Sequence, residues 1–500
     1  MQALQGFARH VKEHDRRINL FLKVKYHFSK NHPSRMDIFM WLNGIFMETM
    51  THPAPVLKSP PSTRPHRIVV VGGGAGGLEL VTRLGDQLGK QGQAQIILVD
   101  SAATHLWKPL LHEVAAGSMD PNTHQLEYIA QARWHHFEFQ QGEMLDLDRV
   151  NRKLVVGAVL DDDRHPILPE RHIPYDTLVL AIGSVTNFFG VPGAAEHAMA
   201  IDTVSQAEHV RKRILAACMR TQTRLAESED ASASKVNLVI IGGGATGVEL
   251  AAELRNTAQV LSAYGLHQLD PRRDIQIALV EAGPRILPPL PERIATETTR
   301  LLQALDIQVL TGDKVVELRS NAVLTASGNA LASDLTVWAG GIKVPAVLGR
   351  VGLPTNSLGQ VIVSPTLQSI TDPDIFALGD CASCPWPATG QSVPPRAQAA
   401  HQQASLLVKS MHRRLAGKNL PVFTYRDHGS LISLGNFDTV GNLMGRLVGR
   451  SVKIQGFFAR LLYLSLYRQH QMALHGLLRM LLDTVAQWLR QRTMPRVKLH

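Results

Sequence analysis

The chain has only three cysteines in 500 residues, Cys218, Cys381 and Cys384. So few thiols cannot staple a fold of this size, which excludes a disulfide scaffold and favours a reducing compartment. Aromatic residues are also scarce, at 5%, but the 45% apolar content excludes a disordered chain. At this length the sequence predicts two to four globular domains.

Long apolar runs are absent as well. No uncharged apolar stretch reaches the roughly 18 residues that a membrane-spanning helix needs. The best candidate, residues 36–50, contains Asp37, Asn43 and Glu48. The N-terminus lacks the short basic start and the apolar run of a secretory signal. We therefore expect a protein that stays in the cytosol or lies on a membrane without spanning it.

The net charge of +10 is concentrated at the two ends of the chain. Residues 446–500 carry ten Lys and Arg against one acid, and residues 1–67 carry eleven against four. The body between them, residues 68–445, has a net charge of −6. A uniformly basic protein would suggest nucleic acid. An acidic body with basic ends instead predicts docking on an anionic lipid surface, with no nucleic-acid partner.

Residues 1–66 form a basic N-terminal extension that differs from the rest of the chain. They have no strand pattern and end in a Pro/Ser-rich stretch, residues 53–65, which is typical of a linker. Met50 lies just before this linker and is an alternative start of the chain.

One strand–turn–helix pattern occurs twice. Apolar runs at 68–71 and 236–241 each lead into a glycine-rich turn and a helical pattern. Residues 72–84 and 242–254 share eight identities in thirteen positions, and Glu79 aligns with Glu249. A second apolar run follows each helix, at 96–99 and 275–280, and ends in Asp100 or Glu281. The duplication predicts two similar α/β domains.

These turns have the chemistry of dinucleotide binding. In each, the first glycine permits the tight turn, the second lets the backbone approach a pyrophosphate, and the third allows close helix–strand packing. The helix N-terminus then faces the anion, and the acid after the second strand binds a ribose hydroxyl. The glycines are Gly72, Gly74 and Gly77 in the first turn, and Gly242, Gly244 and Gly247 in the second.

Three later segments resemble two-domain FAD-dependent pyridine nucleotide oxidoreductases. Residues 175–184 and 366–380 resemble their second and third fingerprints, the latter read as a strand ending in Gly379-Asp380, and residues 334–341 resemble the segment that closes their inserted domain. The resemblance implies that the first unit binds FAD, with contacts from Gly183 and Asp380. It implies that the inserted unit binds NADH, with a contact from Gly340.

A discontinuous FAD domain follows from this resemblance, with residues 67–200 and 345–410 on either side of an NADH domain at 201–344. Redox-active cysteines mark the disulfide reductases and NADH peroxidases of this superfamily just after the first FAD unit. This chain has no cysteine before Cys218, which excludes both branches.

The segment at 105–115, HLWKPLLHEVA, is similar to the flavin-facing loop of type II NADH:quinone oxidoreductases. Further similarities occur at 244–249, 281–287 and 396–402. The resemblance implies that Lys108 and Pro109 contact FAD and that Glu249 faces the nicotinamide. It also implies that Gln398 and His401 lie on the quinone side.

This family resemblance implies an enzyme that oxidises NADH through non-covalent FAD and passes two electrons to a membrane quinone without pumping protons. The expected location is the cytoplasmic face of a bacterial inner membrane, on its surface. The expected fold is α/β, with two Rossmann-like domains followed by a membrane-associating helical region at 411–500. Which quinone is used, and whether the chain forms a homodimer, stay open.

The tail supplies both apolar and basic residues for membrane association. The apolar bulk comes from Phe457, Phe458, Leu461, Leu462 and Leu466. On a helical wheel, one arc of about 100° contains the polar residues Arg460, Arg468, Gln471, His475 and Arg479. Leu464 and Leu478 fall in the same arc, so the amphipathic pattern is imperfect. Packing against the protein's own body, or at a dimer interface, is the alternative reading of this helix.

Several of these residues have a purely structural alternative. Glu249 could complement the helix dipole, and Gln398 could be a hydrogen-bonded packing residue. Cys381 and Cys384 form a C-x-x-C, but two thiols do not make a four-ligand zinc site, so no metal is expected. Glu281 repels a 2′-phosphate and so favours NADH over NADPH, despite Arg285.

Two other classes of protein have the same two dinucleotide-binding units. A soluble FAD-dependent ferredoxin or rubredoxin-type reductase would lack the basic tail. A slow-turnover NADH-binding flavoprotein would bind both nucleotides but turn over slowly with quinone.

Overall fold

The computed structural model describes residues 64–227, 235–263, 266–433, 439–444 and 451–455, together with isolated positions between 471 and 486. From Pro65 onward these residues belong to one unit. The helices are α1 Ala75–Leu84, α2 Leu111–Ala116, α3 Tyr128–Trp134, α4 Ala194–His197, α5 Val204–Glu227, α6 Ala245–Ala263, α7 Glu292–Ala304 and α8 Ala397–Leu415.

Short helical turns at Lys108–Leu110 and Gly379–Cys381 matter for the site. The strands of the first part are β1 His66–Val71, β2 Ala94–Asp100, β3 Thr104–His105, β4 Leu126–Glu127, β5 Glu138–Gln141, β6 Met144–Asp148, β7 Lys153–Val156, β8 Val159–Leu160, β9 Pro166–Leu168, β10 Arg171–Pro174, β11 Thr177–Leu180, β12 Val185–Thr186 and β13 Ala198–Met199. The remaining strands are β14 Val236–Ile241, β15 Ile275–Glu281, β16 Ile307–Thr311, β17 Val315–Arg319, β18 Ala322–Thr325, β19 Ala330–Ala332, β20 Leu335–Trp338, β21 Ile342–Lys343, β22 Val361–Ile362, β23 Ile375–Ala377, β24 Ala382–Ser383, β25 Pro385–Trp386, β26 Gln391–Ser392, β27 Gly429–Ser433, β28 Thr439–Met444 and β29 Ser451–Gln455.

Two parallel five-stranded sheets organise the molecule. The first has the order β23-β11-β1-β2-β5, and the second has the order β13-β20-β14-β15-β16. Their central strands end in buried apolar runs, residues 68–71 and 238–241, as expected for parallel sheets covered on both faces. The first sheet takes its strands from both sides of the second in the sequence. The duplicated pattern thus predicted the paired α/β units correctly.

Two details of the predicted FAD domain differ from the structure. Strand β13 pairs with β20, so the second sheet begins before the predicted boundary at residue 200. Of the predicted strand at 366–380, only Ile375–Ala377 is paired in the parallel sheet, because the residues before it form turns and isolated bridges. Strand pairing determines where these strands begin and end, and an apolar run in the sequence does not show which strands pair.

The region beyond residue 410 was predicted to be helical, and this is wrong for its first part. Helix α8 continues to Leu415, and strands β27, β28 and β29 then form an antiparallel sheet. Of these strands, β29 alternates polar and apolar residues, a period that suits a strand rather than a helix, whereas β27 and β28 have no such strict alternation.

Helix α2 lies in the chain of the first domain but packs on the second. Its apolar side chains, with Trp107 and Leu110, belong to the same core cluster as α5 and α6. The chain segment between β2 and β5 therefore joins the two halves. Among the described residues, no helix is long and apolar enough to cross a membrane.

Candidate active site

Both glycine turns lie where the strand order of their sheet reverses. The chain runs from β1 to β2 on one side and places β11 on the other, so Gly72 and Gly183 follow the two strands at the reversal. In the second sheet Gly242 and Gly340 follow β14 and β20 in the same way. Ligands of open α/β sheets bind at this position, beyond the carboxyl ends of the strands.

The first glycine of each turn has a backbone that other residues rarely adopt. Its φ is +102° at Gly72 and +111° at Gly242. A Cβ at Gly72 would collide with the Ala181 carbonyl, and a Cβ at Gly242 would lie 2.5 Å from Gly340 Cα. The turns therefore need glycine for both conformation and space.

Other glycines at the same edges face open space, as a bound pyrophosphate requires. A Cβ at Gly74, Gly183 or Gly244 would meet no atom within 4 Å. Helix α1 also has no side-chain cap at its N-terminus, so its first N–H groups are not used by a capping side chain. Both turns fit a dinucleotide phosphate on these observations.

The two ribose-binding candidates have matching geometry. Asp100 Oδ2 accepts the Gly73 N–H at 2.6 Å, and Glu281 Oε2 accepts the Gly243 N–H at 2.6 Å. Burial raises the pKa of Asp100, and the backbone hydrogen bonds partly oppose this. A carboxylate oxygen has two lone pairs. Each acid can therefore hold its turn and still accept a ribose hydroxyl.

A third group of predicted FAD residues meets around Ser184. Its hydroxyl donates to Asp380 Oδ2 at 2.7 Å, and its carbonyl accepts from Lys108 Nζ at 2.8 Å. Lys108 also pairs with Asp202 at 3.1 Å, and Pro109 follows it in the same short turn. The structure thus brings Gly183, Lys108 and Asp380 together. Sequence reasoning missed the linking role of Ser184, although this residue ends the predicted fingerprint.

Glu249 is buried at the junction of the two halves. It lies in the first turns of α6, and its Oε2 is 3.7 Å from Nδ1 of His112 on α2. Burial lowers the pKa of His112 to about 4, with some opposition from a backbone hydrogen bond to Pro109. His112 is therefore neutral near pH 7, and the contact is not between two charges. No pattern in the sequence singles out His112.

Gln398 and His401 lie on α8, which packs against α1. Gln398 Nε2 donates to Asp427 Oδ1 and to the Gly429 carbonyl, both at 3.1 Å, and its Oε1 accepts the His428 N–H. This agrees with the structural alternative for Gln398. His401 Nδ1 instead lies 2.6 Å from Glu79 Oε2, a pairing that the sequence did not predict.

The cysteines lie in the hydrophobic interior. Burial raises the pKa of the Cys381 thiol to about 12 and that of Cys384 to about 11. Thiols of this kind are poor nucleophiles and poor metal ligands. In the part of the chain that the structure describes, no three His, Cys, Asp or Glu side chains form a metal-binding group.

The fold and the two glycine turns define a flavin- and nicotinamide-dependent oxidoreductase of the two-domain class. Residues 66–404 match the family model for pyridine nucleotide-disulphide oxidoreductases. A type II NADH:quinone oxidoreductase from Haemophilus influenzae is 40% identical over 443 residues, which cover 87% of this chain and 99% of the relative. The chain belongs to the type II NADH:quinone oxidoreductases within that larger family.

More distant relatives agree with this placement. The type II NADH:quinone oxidoreductase Ndh of Mycobacterium tuberculosis is 26% identical, over 81% of this chain and 84% of its own. The structure of NDH2 from Plasmodium falciparum in complex with NADH superposes with a TM-score of 0.72, at 18% identity, over 87% of this chain and 100% of that one. The latter similarity concerns the fold.

Proposed function

We propose that this protein oxidises NADH through non-covalently bound FAD and passes two electrons to a membrane quinone without pumping protons. The observation that carries the proposal is the pair of open glycine turns at the two strand reversals, each with its own carboxylate. The 40% identity to a type II NADH:quinone oxidoreductase supports the choice of donor and acceptor.

The first site would hold FAD through the phosphate turn at Gly72, Gly74 and Gly77, the ribose acid Asp100, and Asp380. Bound FAD would supply a ring that accepts a hydride and then gives up electrons. Lys108 lies in the short turn before α2 and donates a hydrogen bond to the Ser184 carbonyl, which would hold these two segments together at the edge of the FAD site. Positioning of this kind is the protein's contribution to flavin chemistry.

The second site would hold NADH through Gly242, Gly244, Gly247 and Gly340. Glu281 would bind the adenosine ribose, and its charge would repel a 2′-phosphate. Glu249 is buried beside a helix from the FAD half, which supports a place near the nicotinamide. Neutral His112 limits the directions that the Glu249 carboxylate can take, so it orients this group without neutralising it.

The quinone side would be formed by α8 with Gln398 and His401. Helix α8 lies against Gly379, since a Cβ at Gly379 would approach the Ala400 side chain. Because Asp380 is the next residue, α8 borders the FAD site. Gln398 holds the segment at 427–429 there through three hydrogen bonds. This segment leads directly into β27.

The protein would lie on the membrane through its C-terminal region. Phe457, Phe458 and most of the predicted apolar and polar residues there are outside the described residues. Among the described positions, Leu474 is buried in the first core, and Gln471, predicted on the polar arc, is buried too. Met472, Leu481, Leu482 and Val485 are exposed apolar side chains. These exposed side chains, with the basic tail, suit the surface of an anionic bilayer, on the cytoplasmic face.

The test is steady-state NADH oxidation with a water-soluble quinone as electron acceptor. The same assay is repeated with ferredoxin as the acceptor, and with NADPH as the electron donor. We expect quinone reduction in the presence of NADH, and little activity with ferredoxin. A preference for ferredoxin would favour the soluble reductase, and slow turnover with every acceptor would favour an NADH-binding flavoprotein. Acid precipitation should release the flavin, because its binding is not covalent.

A further inference from the structure

A buried glutamate of the first glycine-turn helix holds a histidine of α8. Glu79 is 4% exposed, and its Oε2 lies 2.6 Å from Nδ1 of His401. Its Oε1 accepts from Arg83 at 2.9 Å and from the Ser405 hydroxyl at 3.2 Å. Glu79 thus has partners on both helices, and it holds His401 through Nδ1.

The charge on Glu79 determines which ring nitrogen of His401 carries a proton. Burial would raise the pKa of Glu79, but the hydrogen bonds and charges of His401 and Arg83 outweigh burial and hold it below its usual range. The carboxylate is therefore ionised near neutral pH and can only accept hydrogen bonds. Nδ1 of His401 must donate to it, and neutral His401 carries its lone pair on Nε2.

His401 also borders a surface groove. The groove has a volume of about 560 Å³ and lies between α8 and residues 422–428. His401 is 25% exposed there, next to Gln402 and the apolar side chains of Leu406 and Phe423. Lys409, Arg426 and His428 also line the groove. The imidazole therefore contacts an ionised carboxylate through Nδ1, and part of the side chain is exposed at a groove that basic side chains also line.

The reaction of the proposed function needs one proton from water. NADH gives up a hydride, which amounts to two electrons and one proton, whereas a quinone takes up two electrons and two protons. The balanced reaction is NADH + H⁺ + quinone → NAD⁺ + quinol. A single side chain that exchanges one proton with water near the quinone is sufficient for this balance.

We propose that His401 delivers this proton and that Glu79 is its positioning residue. The Nε2–H bond of protonated His401 breaks as a quinone O–H bond forms, and the neutral ring then regains a proton from water in the groove. Glu79 holds Nδ1 throughout. This inference rests on the proposed function and on the predicted quinone side of α8.

Two electron acceptors test the proposal, because ferricyanide takes electrons without protons and quinone does not. We expect His401→Ala to lower kcat with a water-soluble quinone by about 10²-fold, the low end of what a general acid contributes. FAD content and ferricyanide reduction should not change. Added imidazole should restore part of the quinone rate. The matched control is His412→Ala, an exposed histidine on the same helix that contacts Gln87.

Glu79→Gln gives a second, independent measurement. The quinone rate should fall several-fold while FAD content and ferricyanide reduction stay unchanged, because an amide can donate to Nδ1 as well as accept from it and so no longer fixes the position of the ring proton. Nitrogen NMR of the unsubstituted holoenzyme should show the proton of neutral His401 on Nδ1.

Equal loss of quinone and ferricyanide rates in His401→Ala, or a proton on Nε2 alone in neutral His401, would overturn the inference. An unsubstituted enzyme that reduces ferricyanide but no quinone would instead count against the proposed function.

Discussion

Glu79 and Glu249 occupy the same position on the helices that follow the two glycine turns, yet they have different histidine neighbours. Glu79 is 2.6 Å from His401 at a surface groove, and Glu249 is 3.7 Å from His112 inside the junction of the two halves. Both acids are buried. Duplication supplied the same residue twice, and the elements packed against each copy determine what it can do. The two glutamates therefore lead to separate predictions.

Glu249→Gln should slow reduction of the flavin by NADH, or weaken NADH binding, by about tenfold, since the loss of a hydrogen bond to a charged group costs ~1 to 3 kcal/mol. FAD content should stay the same, because Glu249 lies in the second unit. Rapid mixing with NADH, followed through the loss of flavin absorbance, measures this step. Glu253→Gln, one turn further on α6 and also buried, is the matched control. Unchanged kinetics with NADH and quinone would leave Glu249 as a helix-dipole residue.

The stability of the protein should decrease between pH 7 and pH 5, in part through His112. The folded-state pKa of about 4 lies below the ordinary value of 6.5. Over this interval the unfolded chain binds a proton that the folded chain does not, so stability falls as the pH falls. The expected contribution is about 2 kcal/mol between pH 7 and pH 5.

Denaturant unfolding of the unsubstituted protein and of His112→Gln at both pH values isolates this term. The variant should be less stable at pH 7 but should show a smaller pH dependence. If both proteins lose the same stability on acidification, His112 is not the group that titrates.

Much of this architecture could be predicted from the sequence because its signals are local. Within each unit, the glycine turn, the strands next to it and the acid, Asp100 or Glu281, lie in fewer than 50 consecutive residues. The contacts that complete the site are not local. Glu79 and His401 are 322 positions apart, and helix α2 packs on the other half of the molecule. Only the folded chain brings such residues together.

Coenzyme choice should depend on Glu281. We expect kcat/KM for NADPH to be about 10²-fold lower than for NADH, because a 2′-phosphate would meet a carboxylate and lose its hydrogen bonds. Glu281→Gln should narrow the gap by removing the charge, while its amide oxygen can still accept one backbone N–H. Initial rates with both coenzymes measure the ratio. Equal efficiency with NADH and NADPH in the unsubstituted enzyme would exclude this role.

The cysteines should be unreactive in the native protein. Burial raises the pKa of Cys218 to about 12, close to that of Cys381. A small thiol reagent should therefore label none of the three cysteines before denaturation and all three after it. Cys384→Ser should keep FAD and NADH oxidation. Rapid labelling of Cys381 and Cys384 in the native enzyme, with loss of activity, would contradict this prediction and support a redox role for the pair.

The last 45 residues should hold the enzyme on the membrane. Residues 456–500 carry seven Lys and Arg against one acid, and each basic residue near an anionic leaflet contributes ~1 kcal/mol. The exposed Leu481, Leu482 and Val485 add apolar area that can enter the interface. Salt would screen binding that depended on the basic residues alone. Binding through the basic residues and the apolar side chains together should be weakened only in part by salt.

A truncation after Gln455 tests this anchor and keeps the sheet β27-β28-β29, whose first strand begins at Gly429, a partner of Gln398. The shortened protein should stay in the supernatant when membranes are sedimented at low salt. It should keep FAD and ferricyanide reduction and lose activity with quinone in the bilayer, because that substrate does not leave the lipid. Retained FAD controls for folding, since removal of the buried Leu474 also takes an apolar contact from the first core. If the truncated protein still sediments with membranes, the basic residues 1–66 become the next segment to remove, because they hold the other concentration of positive charge.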